Sequence, residues 1–207
     1  MVALTLRVTG LALLISTLVG VPLGALLGLA QFRGKRFITV LLYTGMGLPP
    51  VVVGLFVYLL LSRSGPFGSL SWLFTPSAMI AAQTVIALPL VTGLTLSAVA
   101  SVDPALRQQT FALGATRRQI AWTVLREARV GVTAAIVAAF GGIISEVGAV
   151  MLVGGNIAGQ TRVLTTAIVL YTRQGDFALA LALGVILIGL AFAANLLLLQ
   201  LQGRARN

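Results

Sequence analysis

SVDPALRQQTFALGATRRQIAWTVLREARV, Ser101 to Val130, is the one long interval between apolar runs that is both rich in arginine and patterned like folded structure. Asp103 before Pro104 reads as an N-cap followed by a first-turn proline. Leu106, Thr110 and Leu113 then share one face of a short helix. Gly114-Ala115 breaks it, and Thr116 with Gln119 forms a capping-box pattern that starts a second helix. In that second helix Ile120/Val124 and Ala121/Leu125 repeat at helical spacing. Set between two apolar spans, a helix-glycine-helix element is a docking surface offered to something in the aqueous phase. The plainer reading is a solvated connection whose arginines only set topology; the caps and the apolar repeat weigh against it.

The surroundings of this interval are membrane-like. Hydrophobic residues make up 58% of the chain and charged residues 9%, with a mean hydropathy of +1.06. A soluble domain carries roughly a quarter of its residues charged, so this chain holds more apolar surface than one water-soluble core can hide. There are no cysteines and no histidines, which excludes disulfides, thiol nucleophiles, imidazole bases and any His/Cys metal site. No resident metal is expected.

Five apolar runs are expected to span: about 8–32, 38–61, 78–100, 131–153 and 177–201. Each reaches the roughly 20 residues that a bilayer core demands. The first is too long for the apolar centre of a cleaved signal. Gly20, Gly24 and Gly28 fall four apart on it, a stripe that admits a second helix closely. Pro22 sits within the stripe and is a point for a bend. The second run contains Pro49-Pro50, two missing backbone donors in a row, so its helix must kink or start anew there. Residues 62–77 read as a turn at Gly65-Pro66 and an interfacial patch with Phe67, Trp72 and Phe74. Residues 154–176 are too short and polar to cross, and are expected to form a re-entrant or interfacial helix on the outer side. The fold class is thus all-α and membrane-embedded, with one domain over 1–207 and the arginine-rich loop, 101–130, between spans three and four.

Orientation follows from the basic residues. With the large loop inside, Arg33, Lys35, Arg36, Arg107, Arg117, Arg118, Arg126, Arg129, Arg204 and Arg206 lie on the cytoplasmic side. Arg7, Arg63, Arg162 and Arg173 stay outside. Excess Lys/Arg inside is the expected sign, which puts the N-terminus outside and the C-terminus inside a bacterial or archaeal plasma membrane. The formal net charge of +10 then reflects topology rather than nucleic-acid binding.

Little chemistry is available. The carboxylates are Asp103, Glu127, Glu146 and Asp176. A phosphate-binding P-loop needs GxxxxGK[ST]; the only lysine, Lys35, follows Gly34, but Leu29 stands where the first glycine should be and Arg36 follows. A secondary transporter tends to carry several intramembrane ionisable groups, and here there is Glu146 alone. No energy source is visible in the chain. Uphill transport would need work delivered by a partner, and the arginine-rich hairpin is where it could enter.

That hairpin resembles the coupling loop of type I ABC importer permeases, EAAxxxG followed about ten residues later by IxLP. Gly114 matches the glycine and Val124 the Ile position; Gln108-Gln109-Thr110 replace EAA, and Arg126-Glu127 replace Leu-Pro. GLPPVVVGLFVYLLLSRSGPFG, Gly47 to Gly68, and SEVGAVMLVGGNIAGQTRVLTTAI, Ser145 to Ile168, are similar to permeases of tungstate and molybdate importers, with the second stretch closer to the tungstate branch. The resemblance implies the type I permease fold and a homodimer. It also implies two cytoplasmic ATP-hydrolysing subunits that bind ATP and Mg, and an extracytoplasmic oxyanion-binding protein. The chain itself would be no enzyme and hold no cofactor. Carried over by position, Gln108, Gln109, Thr110, Leu113, Gly114, Ala115, Thr116, Arg117 and Arg118 would sit in a groove on the ATPase.

Candidate pathway or gate residues are Glu146, Gly148, Asn156, Thr161, Arg162, Thr165 and Thr166. Hydroxyls and one arginine suit an anion, although a plain interfacial helix explains them nearly as well. Glu146 would repel a divalent oxyanion and is better read as structural or gating. Asn195, the one strongly polar residue inside the last span, is expected to make an interhelical hydrogen bond. Molybdate or sulfate import, an ATP-independent channel or carrier, and a non-transporting membrane anchor are the other readings.

Overall fold

The computed structural model describes residues 1–204. Ten α-helices follow one another: α1 (Val2–Leu29), α2 (Lys35–Met46), α3 (Pro50–Leu61), α4 (Pro76–Ala100), α5 (Pro104–Ala112), α6 (Arg117–Glu127), α7 (Arg129–Ile144), α8 (Gly148–Gly154), α9 (Leu164–Arg173) and α10 (Phe177–Arg204). A single 3-10 turn, Gly68–Leu70, sits between α3 and α4. Arg206, counted above on the inner side, lies outside the described residues.

Among the described residues three helices, α1, α4 and α10, are long and apolar enough to cross a bilayer. At 1.5 Å per residue, the 28 residues of α1 extend about 42 Å against a hydrocarbon core of about 30 Å. The remaining apolar runs are broken. The helix pair α2 and α3 meets at 99° across Gly47–Pro49, and α6 meets α7 at 66°. The first break is where the paired prolines require it: Pro50 opens α3 as its first residue and Pro49 is the N-cap, positions where a missing N–H leaves no helix bond unmade.

The run at 131–153, expected to be one span, is two helices. Helix α7 ends at Ile144, and the chain turns through Ser145–Val147 before α8 begins. Ser145 donates its hydroxyl back to the Gly141 and Gly142 carbonyls, and Glu146 turns to cap the next helix, so the short polar pair competes with the helical ladder and ends it. The run at 8–32 also differs at its edges, beginning at Val2 and ending at Leu29. Outside the long rods, α9 is the helix expected within 154–176.

Helix α4 is the central post. Against it lies α1, and the glycine stripe explains how. A Cβ on Gly20 would come 2.9 Å from a Val91 methyl, one on Gly24 would come 2.5 Å from the Thr92 carbonyl oxygen, and one on Gly28 would come 2.7 Å from a Val99 methyl. Three missing side chains therefore let two backbones approach where lipid offers no hydrophobic gain from helix contact. Met79, Ala82, Val150 and Val153 form the core between α4, α8 and α3. Ala87, Val91, Ala139 and Ile143 join α4 to α7. The faces left bare, such as Leu181, Val185 and Ile188 on α10, are apolar, as a hydrocarbon solvent requires.

Candidate functional site

The arginine-rich stretch folds as a hairpin of α5 and α6, and each helix start is closed by its own side chains. Asp103 accepts a hydrogen bond from the Ala105 N–H at 2.8 Å. Thr116 and Gln119 make the full capping box: the Gln119 Oε1 accepts from the Thr116 N–H at 2.7 Å, and the Gln119 N–H reaches the Thr116 hydroxyl. Between the helices Gly114 adopts φ +79°, a left-handed conformation that glycine takes without steric cost. Its N–H donates to the Phe111 carbonyl at 2.9 Å.

The hairpin is fixed to the rods by its apolar side. Val124 and Ala128 are buried against Val99, Val102 and Ala25, with Leu106, Ile120 and Leu125 packed around them. Helix α6 runs into α7 across Ala128, and a Cβ on Gly131 would lie 2.5 Å from the Ala98 Cβ, so the base of the hairpin is clamped to α4. Arg107 donates to the Val99 carbonyl at 3.1 Å and ties α5 to the same helix end. A cleft of about 470 Å³ remains beneath the hairpin, and Asp103 and Glu127 are among its walls.

The opposite side is bare. Leu113 does not share the packed face with Leu106; it is the residue after the helix end and is 87% exposed. Phe111 and Trp122 are 74% and 63% exposed. Gln108, Gln109, Gly114, Thr116, Arg117 and Arg118 are exposed too, and Thr110 and Ala115 are half-buried. Thr110 directs its hydroxyl to the Leu106 carbonyl. The structure thus brings the hairpin residues onto one tip, apolar at Phe111 and Leu113 and cationic at its flank, while Trp122, midway along α6, lines a cleft with Val21 and Val132. Phe111 and Trp122 had not been singled out from the sequence; the signal available was two aromatics off the apolar repeat of their helices.

The candidate pathway or gate residues are gathered as well, but their polar groups turn into the fold. Glu146 Oε1 accepts from the Ala149 N–H at 2.9 Å and caps α8. The Glu146 carbonyl receives the Thr165 hydroxyl at 3.0 Å. Thr161 donates to the Gly154 carbonyl and accepts the Ile157 N–H. Thr166 closes on Val163, taking its N–H and donating to its carbonyl. Arg162 reaches Asn156 twice, through Nε to Oδ1 and through a terminal nitrogen to the carbonyl, each at 3.3 Å. Asn156 itself has φ +51°. Gly148 packs on Val51, where a Cβ would collide with the valine methyl. Thr161, Thr165 and Thr166 are buried, and their hydroxyls hold backbone turns together.

Two further polar groups concern the broken helices. Gln83, 4% exposed, donates its amide to the Ile143 carbonyl at 2.9 Å across 60 residues of sequence. It thereby holds the end of α7 against α4, beside the Ser145–Val147 turn. Sequence reading missed it because a single glutamine in an apolar run carries no spacing signal. Asn195, expected to bond across helices, has its buried Oδ1 without a partner among the described residues.

The class that this architecture defines is a multi-pass helical membrane protein, a bundle of broken helices around a central post with a self-capped hairpin at one end. Residues 20–207 match the family described as binding-protein-dependent transport system inner membrane component, and the chain belongs to that family of ABC importer permeases. It is 48% identical over 200 residues to a probable anion ABC transporter permease protein of Haloferax volcanii, covering 94% of this chain and 86% of the relative. It is 41% identical over 199 residues to the tungstate uptake system permease protein TupB of Peptoclostridium acidaminophilum, covering 96% and 87%. In fold it is similar to a chain of the MetNI methionine ABC transporter, solved in inward-facing conformations, with a TM-score of 0.72, 21% identity, and coverage of 93% of this chain and 89% of that one.

Proposed function

We propose that the chain is the membrane subunit of an ATP-driven oxyanion importer, tungstate foremost, and that it works as a homodimer. Two cytoplasmic ATPase subunits would bind ATP and Mg, and an extracytoplasmic protein would deliver the anion. The observation that carries the reading is the hairpin tip: Phe111 and Leu113 stand in solvent on a doubly capped scaffold, in a chain without a nucleotide-binding loop. Similarity to an anion permease and a tungstate permease supports the cargo. The N-terminus is then outside, the C-terminus inside, in a plasma membrane.

The packing suggests how force would travel. A groove on the ATPase takes the exposed tip, whose apolar side chains gain by leaving water. When nucleotide closes the ATPase dimer, the tip moves as a unit because its helix ends are already hydrogen-bonded. Val124 and Ala128 pass that displacement to α4 and, through the 66° bend, to α7. Gln83 keeps the end of α7 in register with α4. Beyond it, α8 lies on α3 through the Gly54–Ala149 contact, where a Cβ would come 2.5 Å from the Ala149 Cα. The two bent pairs then tilt together as one of two discrete arrangements, the kind of element that a nucleotide can bias.

High-affinity selection belongs to the delivering protein, since tight binding within the membrane would slow release. The test is reconstitution of the permease with its ATPase and binding protein in vesicles. ATP-dependent accumulation of tungstate, with molybdate and sulfate competing less well, is expected. Equal accumulation by the purified permease alone would replace the importer with a channel or carrier. Preference for molybdate or sulfate would keep the machine and change its cargo.

A further inference from the structure

The α5–α6 hairpin has a second face, turned toward α1, that the docking tip does not use. A cleft of about 420 Å³ lies there, walled by Val21 of α1, by Trp122, Leu125 and Arg126 of α6, and by Arg129 and Val132 of α7. Trp122, Leu125 and Arg126 fall at i, i+3 and i+4, so they share one side of α6. Val124, buried with Val99 and Val102, faces elsewhere. Past the 66° bend Arg129 and Val132 continue the wall at i and i+3. The cleft therefore joins apolar and cationic groups, and no carboxylate is among its walls. Glu127, the neighbour of Arg126, lines the cleft beneath the hairpin instead.

The two arginines have different duties. Arg129 is half-buried and held by a contact of its own. The Arg126 side chain is exposed and has no hydrogen bond or ion pair among the described residues. The bare Trp122 indole stands one helical turn before it. On α1 the apolar wall goes on beyond the cleft. Leu14, Leu18 and Val21 are spaced i, i+4 and i+7, one stripe of that helix, and Leu14 and Leu18 are exposed. Leu29, the end of α1, packs with Val99, Val102 and Val124, so the stripe runs from the hairpin's end toward the middle of the rod.

We infer that this cleft holds an anionic phospholipid of the cytoplasmic leaflet, its phosphate on Arg126, its glycerol region against Trp122 and one acyl chain along Val21, Leu18 and Leu14. Each part of the cleft meets the matching part of such a molecule. A guanidinium pairs phosphate oxygens in a fork, an indole sits at the level of headgroups, and a leucine stripe is at home in hydrocarbon. Basic pockets at this face of a membrane favour charged headgroups. An aqueous partner could reach Arg126, but Leu18 and Leu14 lie about 16 and 22 Å along the axis from the end of α1, where an acyl chain reaches and a cytoplasmic protein does not. The orientation argued above decides only which leaflet supplies the lipid, and the cargo does not enter.

The test is native mass spectrometry of the full-length permease, purified in mild detergent and offered equimolar phosphatidylglycerol and phosphatidylcholine. Phosphatidylglycerol should be retained about fivefold over phosphatidylcholine, the worth of one arginine facing an anionic lipid. Arg126→Gln should bring the ratio near one, and Arg126→Lys should keep most of it, which separates lost charge from lost folding. Trp122→Ala should lower retention of both lipids with the ratio kept. Glycerol phosphate in excess, which carries the phosphate without acyl chains, should not displace the lipid. A wild-type ratio near one, or a preference that survives Arg126→Gln, would overturn the site. Displacement by glycerol phosphate would do the same, since the ligand would then be a free phosphate. Val21→Cys supplies a lone thiol, because the chain has no cysteine; a disulfide there between two copies would make the cleft an interface between chains and remove the lipid from it. Retention in detergent reads the site whichever way the hairpin faces, so its failure and a failure of the orientation are told apart.

Discussion

Two hairpins, one at each end of the bundle, treat their polar residues in opposite ways. The first, α5–α6, closes its helix starts with Asp103, Thr116 and Gln119 and leaves Phe111 and Leu113 exposed. The second, from Ser145 into α9, buries Thr161, Thr165 and Thr166 and turns their hydroxyls onto its own backbone. The same residue types that invite an anion on paper are consumed as structural bonds at one end. At the other, apolar side chains that a soluble protein would hide remain open. A partner is sought where burial is incomplete and the scaffold is already satisfied.

The sharpest way to break this contrast is at Gly114. Its left-handed φ and its N–H bond to Phe111 are both denied to proline. Gly114→Pro should abolish ATP-driven uptake while the permease still inserts and dimerises, checked by size-exclusion chromatography beside the transport assay. Uptake that persisted would mean that the tip's shape is irrelevant to coupling.

At the hairpin from Ser145 into α9 the expected damage is to stability. Thr161→Val removes a buried donor to Gly154 and the acceptor of the Ile157 N–H, a loss of about 1–3 kcal/mol. Thermal unfolding of the purified permease should fall to lower temperature, with the half-saturating oxyanion concentration unchanged. An altered half-saturation at unaltered thermal stability would return the hydroxyl to the pathway.

Glu146→Gln should do least. Glutamine keeps an oxygen to accept the Ala149 N–H, so uptake should stay within about threefold of the native rate. Glu146→Ala, by contrast, should cost about 1 kcal/mol of stability through the lost cap. A tenfold or larger change in transport with glutamine would mean that the negative charge itself acts on the moving anion.

Much of this molecule was legible from spacing. The glycines of α1, the paired prolines before α3 and the capping box of α6 are local rules, and each needs no more than a few neighbouring residues. Asp103, Thr116 and Gln119 could be named as caps for that reason. The interruption at Ser145–Val147 was harder, because an unbroken apolar run hides a turn made by two polar residues. What spacing could not carry was partnership across the fold. Gln83 finds Ile143 only once α4 and α7 are side by side. Leu113 reads as part of the repeat with Leu106, and only the helix ending at Ala112 turns it outward. Thr161, Thr165 and Thr166 were ambiguous between ligand and turn, and the hydrogen bonds they make could be seen only in three dimensions.

The central claim is that this chain is driven from outside itself, through the exposed tip of the α5–α6 hairpin. The most direct measurement is the initial rate of ATP-driven uptake by complexes carrying Leu113→Asp, with binding of the ATPase quantified in the same vesicles. A fall of about a hundredfold is predicted, the size of one docking hot spot lost, together with weakened ATPase binding and intact permease dimers. Uptake within twofold of the native rate, with the ATPase still bound, would contradict it.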